Sequence, residues 1–182
     1  DGGYSNKYQR EESSFIKKVD LSFKKPDEKR INNRIKSDIK NLEEFLNNQE
    51  EIKNIIFHGS YGDYTNINYS DVDITVIIND DVINNYDKLK KLKKNILKKL
   101  IPFNFNLAPF QHHGPFILWP SLMKSYDENI LPLVAYNCSW AIKEENYSFN
   151  VVKNINSKIT DFRNKVLVQG EKALETNNLY DY

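Results

Sequence analysis

Two aspartates interrupt a strongly apolar run, DVDITVII at residues 71–78. Strict alternation sets Val72, Ile74, Val76 and Ile78 on one side of an extended chain and Asp71, Asp73, Thr75 and Ile77 on the other. This is the two-residue period of a strand with one face on a core. Strand interiors are poor in aspartate. A strand that keeps two of them must be anchored by its apolar face while the opposite face holds two carboxylates, about 6.5–7 Å apart. The preceding segment completes a unit. Ile55, Ile56 and Phe57 form a short apolar run with the pattern of a buried strand, ended by Gly59 and Ser60. Residues 61–70, YGDYTNINYS, are turn-formers and read as a loop.

The elements around this unit set the fold class. From Asp27, which suits an N-cap, Ile31, Ile35, Ile39, Leu42 and Leu46 recur at three- and four-residue steps, the apolar face of an amphipathic helix. After Asn79-Asp80-Asp81 breaks the strand, Leu89, Leu92, Ile96, Leu97 and Leu100 repeat that spacing, with lysines opposite as a solvated face. Residues 103–110, FNFNLAPF, alternate again and are expected to form a strand. Phe103, Phe105 and Leu107 would face the core, and Asn104, Asn106 and Ala108 the other side. QHHG follows, then PFILW as a further strand entered through a turn at Gly114-Pro115. Residues 121–145 are expected to be mostly helical, with Pro132 in a first turn. From about 150 to 176, Val151, Ile155, Ile159, Phe162, Val166 and Leu167 stand at helical spacing. The predicted fold is α/β of the α+β type, a small mixed β-sheet flanked by helices. It occupies residues 27–149, between a polar arm (1–26) and a C-terminal helical segment (150–182).

Composition narrows the function. A chain of 182 residues suits one domain with an appendage. Its 26 Lys and Arg against 25 Asp and Glu leave a net charge of +1, which argues against a general nucleic-acid grip, since that needs a basic face. Cys138 is the only cysteine, so an internal disulfide is excluded; a core position and a reducing, cytoplasmic compartment are expected. No apolar run approaches the roughly 20 residues of a membrane span, and no signal-peptide pattern is present. The start, DGGYS without methionine, reads as a fragment, a processed form or an engineered piece.

The chemistry lies in the first unit. Hard divalent cations take oxygen ligands and are typically held by one or two carboxylates plus substrate phosphates. Two aspartates on one strand face can converge on such ions. A glycine lets backbone approach a phosphate closely, and the neighbouring hydroxyl and N–H groups can hold phosphate oxygens. A lone D-x-D is common and by itself marks a strand end facing water. The apolar strand, the Gly-Ser turn, the ten-residue loop and the alternation through the aspartates together point to a metal and phosphate site.

FHGS, YGDYTNINYS and DVDI in this order resemble the signature of the nucleotidyltransferase superfamily, which includes DNA polymerase beta, the kanamycin nucleotidyltransferases and the minimal nucleotidyltransferases. The resemblance covers roughly residues 50–110. It implies transfer of a nucleoside monophosphate from an NTP such as ATP to an acceptor hydroxyl, with Mg²⁺ or Mn²⁺ as cofactor. The acceptor would be a small molecule, a protein or a nucleic-acid end. Gly59, Ser60 and Ser70 would bind the nucleotide, and Asp71 and Asp73 would hold the metal and serve catalysis.

The family usually carries a third carboxylate on a later strand. Here the expected strand is FNFNLAPF, and Ala108 stands where that acid is expected. Three readings follow. The chain is a naturally inactive nucleotide- or partner-binding module; or Ala108 is an engineered exchange; or the third group comes from elsewhere, such as Gln111, His112, His113, Asp127 or Glu128. His112 and His113 are expected to be one packed and one exposed, with a role as base, ligand or phosphate contact as the alternative. His58 is expected to pack or cap the strand end, and Trp119 and Trp140 to pack in the core or an interface rather than stack on a base.

Overall fold

The computed structural model describes residues 13–31, 33–68, 70–108, 111, 114–128 and 130–154. Residues 17–151 form one unit, and residues 1–16 with 152–182 form another. The elements around the two aspartates belong to the first. In chain order the elements are β1 (Ser13–Phe23), α1 (Asn33–Asn47), β2 (Ile52–Phe57), α2 (Gly59–Gly62), β3 (Ile74–Ile78), α3 (Asp80–Ile83), α4 (Tyr86–Asn95), α5 (Ile101–Leu107), β4 (Phe116–Leu118), α6 (Pro120–Met123), β5 (Trp140–Ala141) and β6 (Glu145–Asn154). A π-helical turn, Ile96–Leu100, joins α4 to α5, and a 3-10 turn covers Leu133–Tyr136.

Four strands form one sheet in the order β4-β3-β2-β5, and β1 pairs with β6 in a second, two-stranded sheet. β2 lies antiparallel to β3 and to β5, while β4 runs parallel to β3. This is the predicted small mixed sheet with flanking helices. A register shift between Ile52 and Asn54 marks a bulge in β2. Asn54 secures it: its side chain donates to the Lys143 carbonyl (2.8 Å) and accepts from the Lys143 N–H (3.1 Å).

Alternation along the strands sorts the core into two layers. Ile55 and Phe57 of β2, with Val72, Ile74, Val76 and Ile78, pack against Ile35, Ile39, Leu42 and Leu46 of α1 and Leu92, Ile96, Leu100, Phe103 and Leu107 of the α4–α5 run. Each such buried side chain contributes about 1.5–3 kcal/mol relative to exposure, so the predicted apolar face is the anchor of β3. The opposite face is not open. Ile56 and Ile77 pack against Leu118, Tyr126, Tyr136, Phe149 and Val151, and all five residues of β3 are buried. Thr75 and Ile77, placed by alternation on a non-core face, therefore lie in a second core layer.

Several expectations are corrected. Residues 103–110 do not form a strand: α5 runs through Phe103, Asn104 and Phe105 to Leu107, and Ala108 is its C-cap. Phe103 and Leu107 are four apart and fit a helix face as well as an alternating strand. Pro102 falls near the start of α5, and the π turn before it carries the helical run across, with Ile101 N–H donating to the Ile96 carbonyl. The stretch 121–145 is mostly not helical, holding the end of α6, the 3-10 turn, β5 and the start of β6. Asp27 does not cap α1. Its carboxylate accepts from the Lys29 N–H (3.0 Å) in a turn, and the helix begins at Asn33. Ser13–Phe23, within the polar arm, forms β1. Cys138 is exposed rather than in the core. Of the helical spacing expected over 150–176, residues 150–154 continue β6 and the rest lies outside the described residues.

Candidate active site

The Gly-Ser turn and the D-V-D segment meet at one end of β2 and β3. Phe57 pairs with Ile74, and the next step of that antiparallel register is kept by His58, whose N–H donates to the Asp73 carbonyl at 3.0 Å. Asp71–Asp73 thus leads into β3, which is assigned from Ile74. Val72 is fully buried between two half-exposed aspartates, so the apolar residue anchors and the carboxylates reach the surface.

Gly59 begins α2 with φ +59°, the left-handed region that favours glycine. A Cβ there would collide with the Asp73 carboxylate. The second aspartate therefore lies directly over the Gly59 Cα, and the two halves of the motif are in contact. Gly62 is tight as well, since a Cβ would stand 2.6 Å from the Cys138 carbonyl oxygen. Ser60, half-exposed, accepts Thr65 and Asn66 N–H groups on its carbonyl (2.9 and 3.0 Å). Ser70 closes the far end of the loop, its hydroxyl accepting the Ile67 N–H at 2.9 Å.

The loop between the two halves is pinned. Asp63 accepts both the hydroxyl and the N–H of Thr65 (2.6 and 2.9 Å), and the hydroxyl above all holds its carboxyl below the usual carboxylate range. Tyr64, at φ 65° the one positive-φ non-glycine among the described residues, receives the Asp27 N–H on its hydroxyl (2.8 Å). The Arg30 guanidinium lies 4.3 Å from the Tyr64 ring centroid and donates to the Asp63 carbonyl at 3.0 Å. Nothing in the sequence marks Arg30 and Tyr64 as partners.

Behind the turn lies a buried polar chain. His58, 3% exposed, shares a hydrogen bond of 3.1 Å with the Thr75 hydroxyl, which shares one of 2.9 Å with the Tyr136 hydroxyl. Burial pushes the Tyr136 phenol up to about 12. His58 is thus packed, as expected. So is Trp140, stacked on Phe57 with centroids 4.1 Å apart and its ring N–H donating to the Tyr61 carbonyl (2.9 Å).

The residues weighed for a third group are distributed unevenly. Ala108 is buried among apolar side chains of the helix-side core, so it does not stand on the open face that the strand reading gave it. Gln111 is buried, and its side chain bonds the backbone of Val72. Asp127 and Glu128 lie beyond β4, in the segment after α6. His112 and His113 lie outside the described residues. Among the described residues no group of three or more His, Cys, Asp or Glu side chains comes together to hold a metal, and no helix is long and apolar enough to cross a membrane.

A small mixed sheet with helices on it, a Gly-Ser turn after one central strand and D-x-D leading into the next define a nucleotidyltransferase-type domain. Residues 40–125 match the family model described as polymerase beta, nucleotidyltransferase. That match supports the nucleotidyltransferase superfamily for this segment of the chain. No curated protein and no solved structure matches the chain.

Proposed function

We propose that this domain transfers a nucleoside monophosphate from an NTP to an acceptor hydroxyl, at a site built on Gly59, Ser60, Asp71 and Asp73. The observation that carries the reading is the Asp73 carboxylate lying on the Gly59 Cα. Metal ligand and phosphate-binding turn are then one site rather than two. Two half-exposed carboxylates flanking a buried valine suit a hard divalent cation, completed by phosphate oxygens of the substrate. Mg²⁺ or Mn²⁺ bound there would supply charge neutralisation for the triphosphate. Gly59 gives backbone access to the phosphates, and Ser60 adds a hydroxyl beside it. In the reaction the acceptor oxygen bonds the α-phosphorus, the bond to the bridging oxygen of the β-phosphate breaks, pyrophosphate leaves, and the proton of the acceptor hydroxyl passes to solvent water.

One observation favours a second reading, a module that binds nucleotide without turning it over. The strand parallel to β3 presents Phe116, Ile117 and Leu118, all apolar, opposite Thr75, Val76 and Ile77. A single experiment separates the two. The chain is incubated with each NTP and Mg²⁺, and nucleotide binding and pyrophosphate release are measured together. Asp71→Asn and Asp73→Asn are each expected to reduce release by more than about 100-fold, the scale set by losing several kcal/mol of charge stabilisation. Binding without release supports the module. No binding, with both variants silent, overturns both readings.

A further inference from the structure

We infer that Gln111 is a positioning residue for the two aspartates, its side chain taking the place of a neighbouring strand. The inference rests on the Asp71–Asp73 reading above and names what holds that segment in shape.

In an extended chain, successive residues turn their N–H and C=O groups to opposite edges. Asp73 faces β2, where His58 N–H takes its carbonyl. Val72 faces the other edge, toward β4. The pairing of β4 with β3 begins only at Thr75↔Phe116, so the described ladder does not reach Val72. Gln111 fills the gap. Its side-chain carbonyl accepts the Val72 N–H at 2.8 Å, and its amide NH₂ donates to the Val72 carbonyl at 3.4 Å. One side chain thus satisfies both backbone groups of the residue between the aspartates. Gln111 is itself 6% exposed, and its own N–H donates to the Ala108 carbonyl at 2.9 Å, which ties it to the end of α5. Val72 is fully buried, and buried backbone groups require partners.

The residue type follows from the geometry. An amide offers an acceptor and a donor side by side without any change of protonation. Glutamate keeps the acceptor but sets a carboxylate oxygen against the Val72 carbonyl. Asparagine is one methylene shorter. Methionine matches the length and removes both bonds. With Gln111 gone, the N–H and C=O of Val72 lose the side chain that holds them on the edge facing β4, and the backbone that carries Asp71 and Asp73 is less firmly set.

The test uses the whole chain with Mn²⁺ as the probe. Its binding is measured by electron paramagnetic resonance, with circular dichroism and exchange of the Val72 amide recorded on metal-free protein. Gln111→Met and Gln111→Asn are expected to keep the native circular dichroism, to speed exchange at Val72, and to weaken Mn²⁺ binding by about 10- to 100-fold, the range for residues that orient metal ligands. Gln111→Glu is expected to fall between these variants and wild type. A folded variant that exchanges faster at Val72 and binds Mn²⁺ like wild type overturns the inference and leaves the site itself standing. If Met does not fold, the Asn and Glu variants decide on the same two readouts. A wild-type chain that binds no Mn²⁺, or an Asp73→Asn variant that binds it equally well, overturns the site and this inference with it.

Discussion

Gly59 shows how one residue can join the two halves of a motif. Its backbone is left-handed and its missing Cβ is the space the Asp73 carboxylate occupies. Gly59→Ala is expected to cost about 1–3 kcal/mol, because φ +59° strains an L side chain and the methyl must displace the aspartate. Denaturant unfolding measures the cost, and Mn²⁺ binding reports the displaced carboxylate. At residue 108 the structure reverses an expectation. Ala108 is a C-cap packed among apolar side chains, so Ala108→Asp is expected to destabilise the fold by at least about 2 kcal/mol at neutral pH rather than create a metal ligand. Unfolding midpoints at pH 5 and pH 8 check this. The buried acid has a folded pKa raised above its unfolded value, so the penalty should be smaller at the lower pH. That Gly59 matters was legible from its place between an apolar strand and a loop. The position of Ala108 was not, because FNFNL fits both a two-residue and a four-residue period.

Among the elements, the helical run from α4 through the π turn to α5 carries an internal cost. Asn104, 1% exposed, has neither side-chain amide atom hydrogen-bonded among the described residues. Asn104→Leu keeps the branched shape and the number of heavy atoms and removes two buried polar atoms. It is expected to stabilise the domain by about 1 kcal/mol and to raise Tm by about 2–4 °C, measured by calorimetry. An unchanged or lower Tm would mean that the amide has a role the helix does not reveal. The loop between the Gly-Ser turn and the aspartates is held from outside by Arg30, which contacts the Tyr64 ring and the Asp63 carbonyl. Arg30→Ala is expected to cost about 0.5–1.5 kcal/mol and to increase proteolytic nicking between residues 63 and 70, visible by mass spectrometry. These links escape sequence reading, because residue 30 and residue 64 meet only after α1 has packed on the sheet.

For the whole molecule, the second core layer brings a pH dependence. Tyr126, Tyr136 and Tyr147 all lie in it. Burial raises the pKa of each, with Glu145 adding to the rise at Tyr147. A phenol whose folded pKa exceeds its unfolded value of about 10 contributes stability that is complete below that value. The contribution is lost as pH rises toward the folded pKa. Stability should therefore be level up to about pH 9 and fall between pH 10 and 12. Tyr136, pushed up to about 12, accounts for on the order of 2 kcal/mol of the loss. Tyr136→Phe should flatten the alkaline limb of urea unfolding curves taken from pH 8 to 11.5; an unchanged limb would assign the dependence to other groups.

Local pattern alone determined the strand pair around the Gly-Ser turn, the helix from Ile35 to Leu46 and the apolar anchor of the two aspartates. These are short-range features, written in the spacing of apolar residues and the chemistry of glycine and serine. Only tertiary structure decided that the aspartate-bearing strand is covered on both faces, that residues 103–107 are helical, and that a glutamine completes the edge beside Val72. The reason is physical. Periodicity records which side of a segment is apolar. It carries no record of what later folds against the other side, and a side chain that stands in for a strand leaves no period at all.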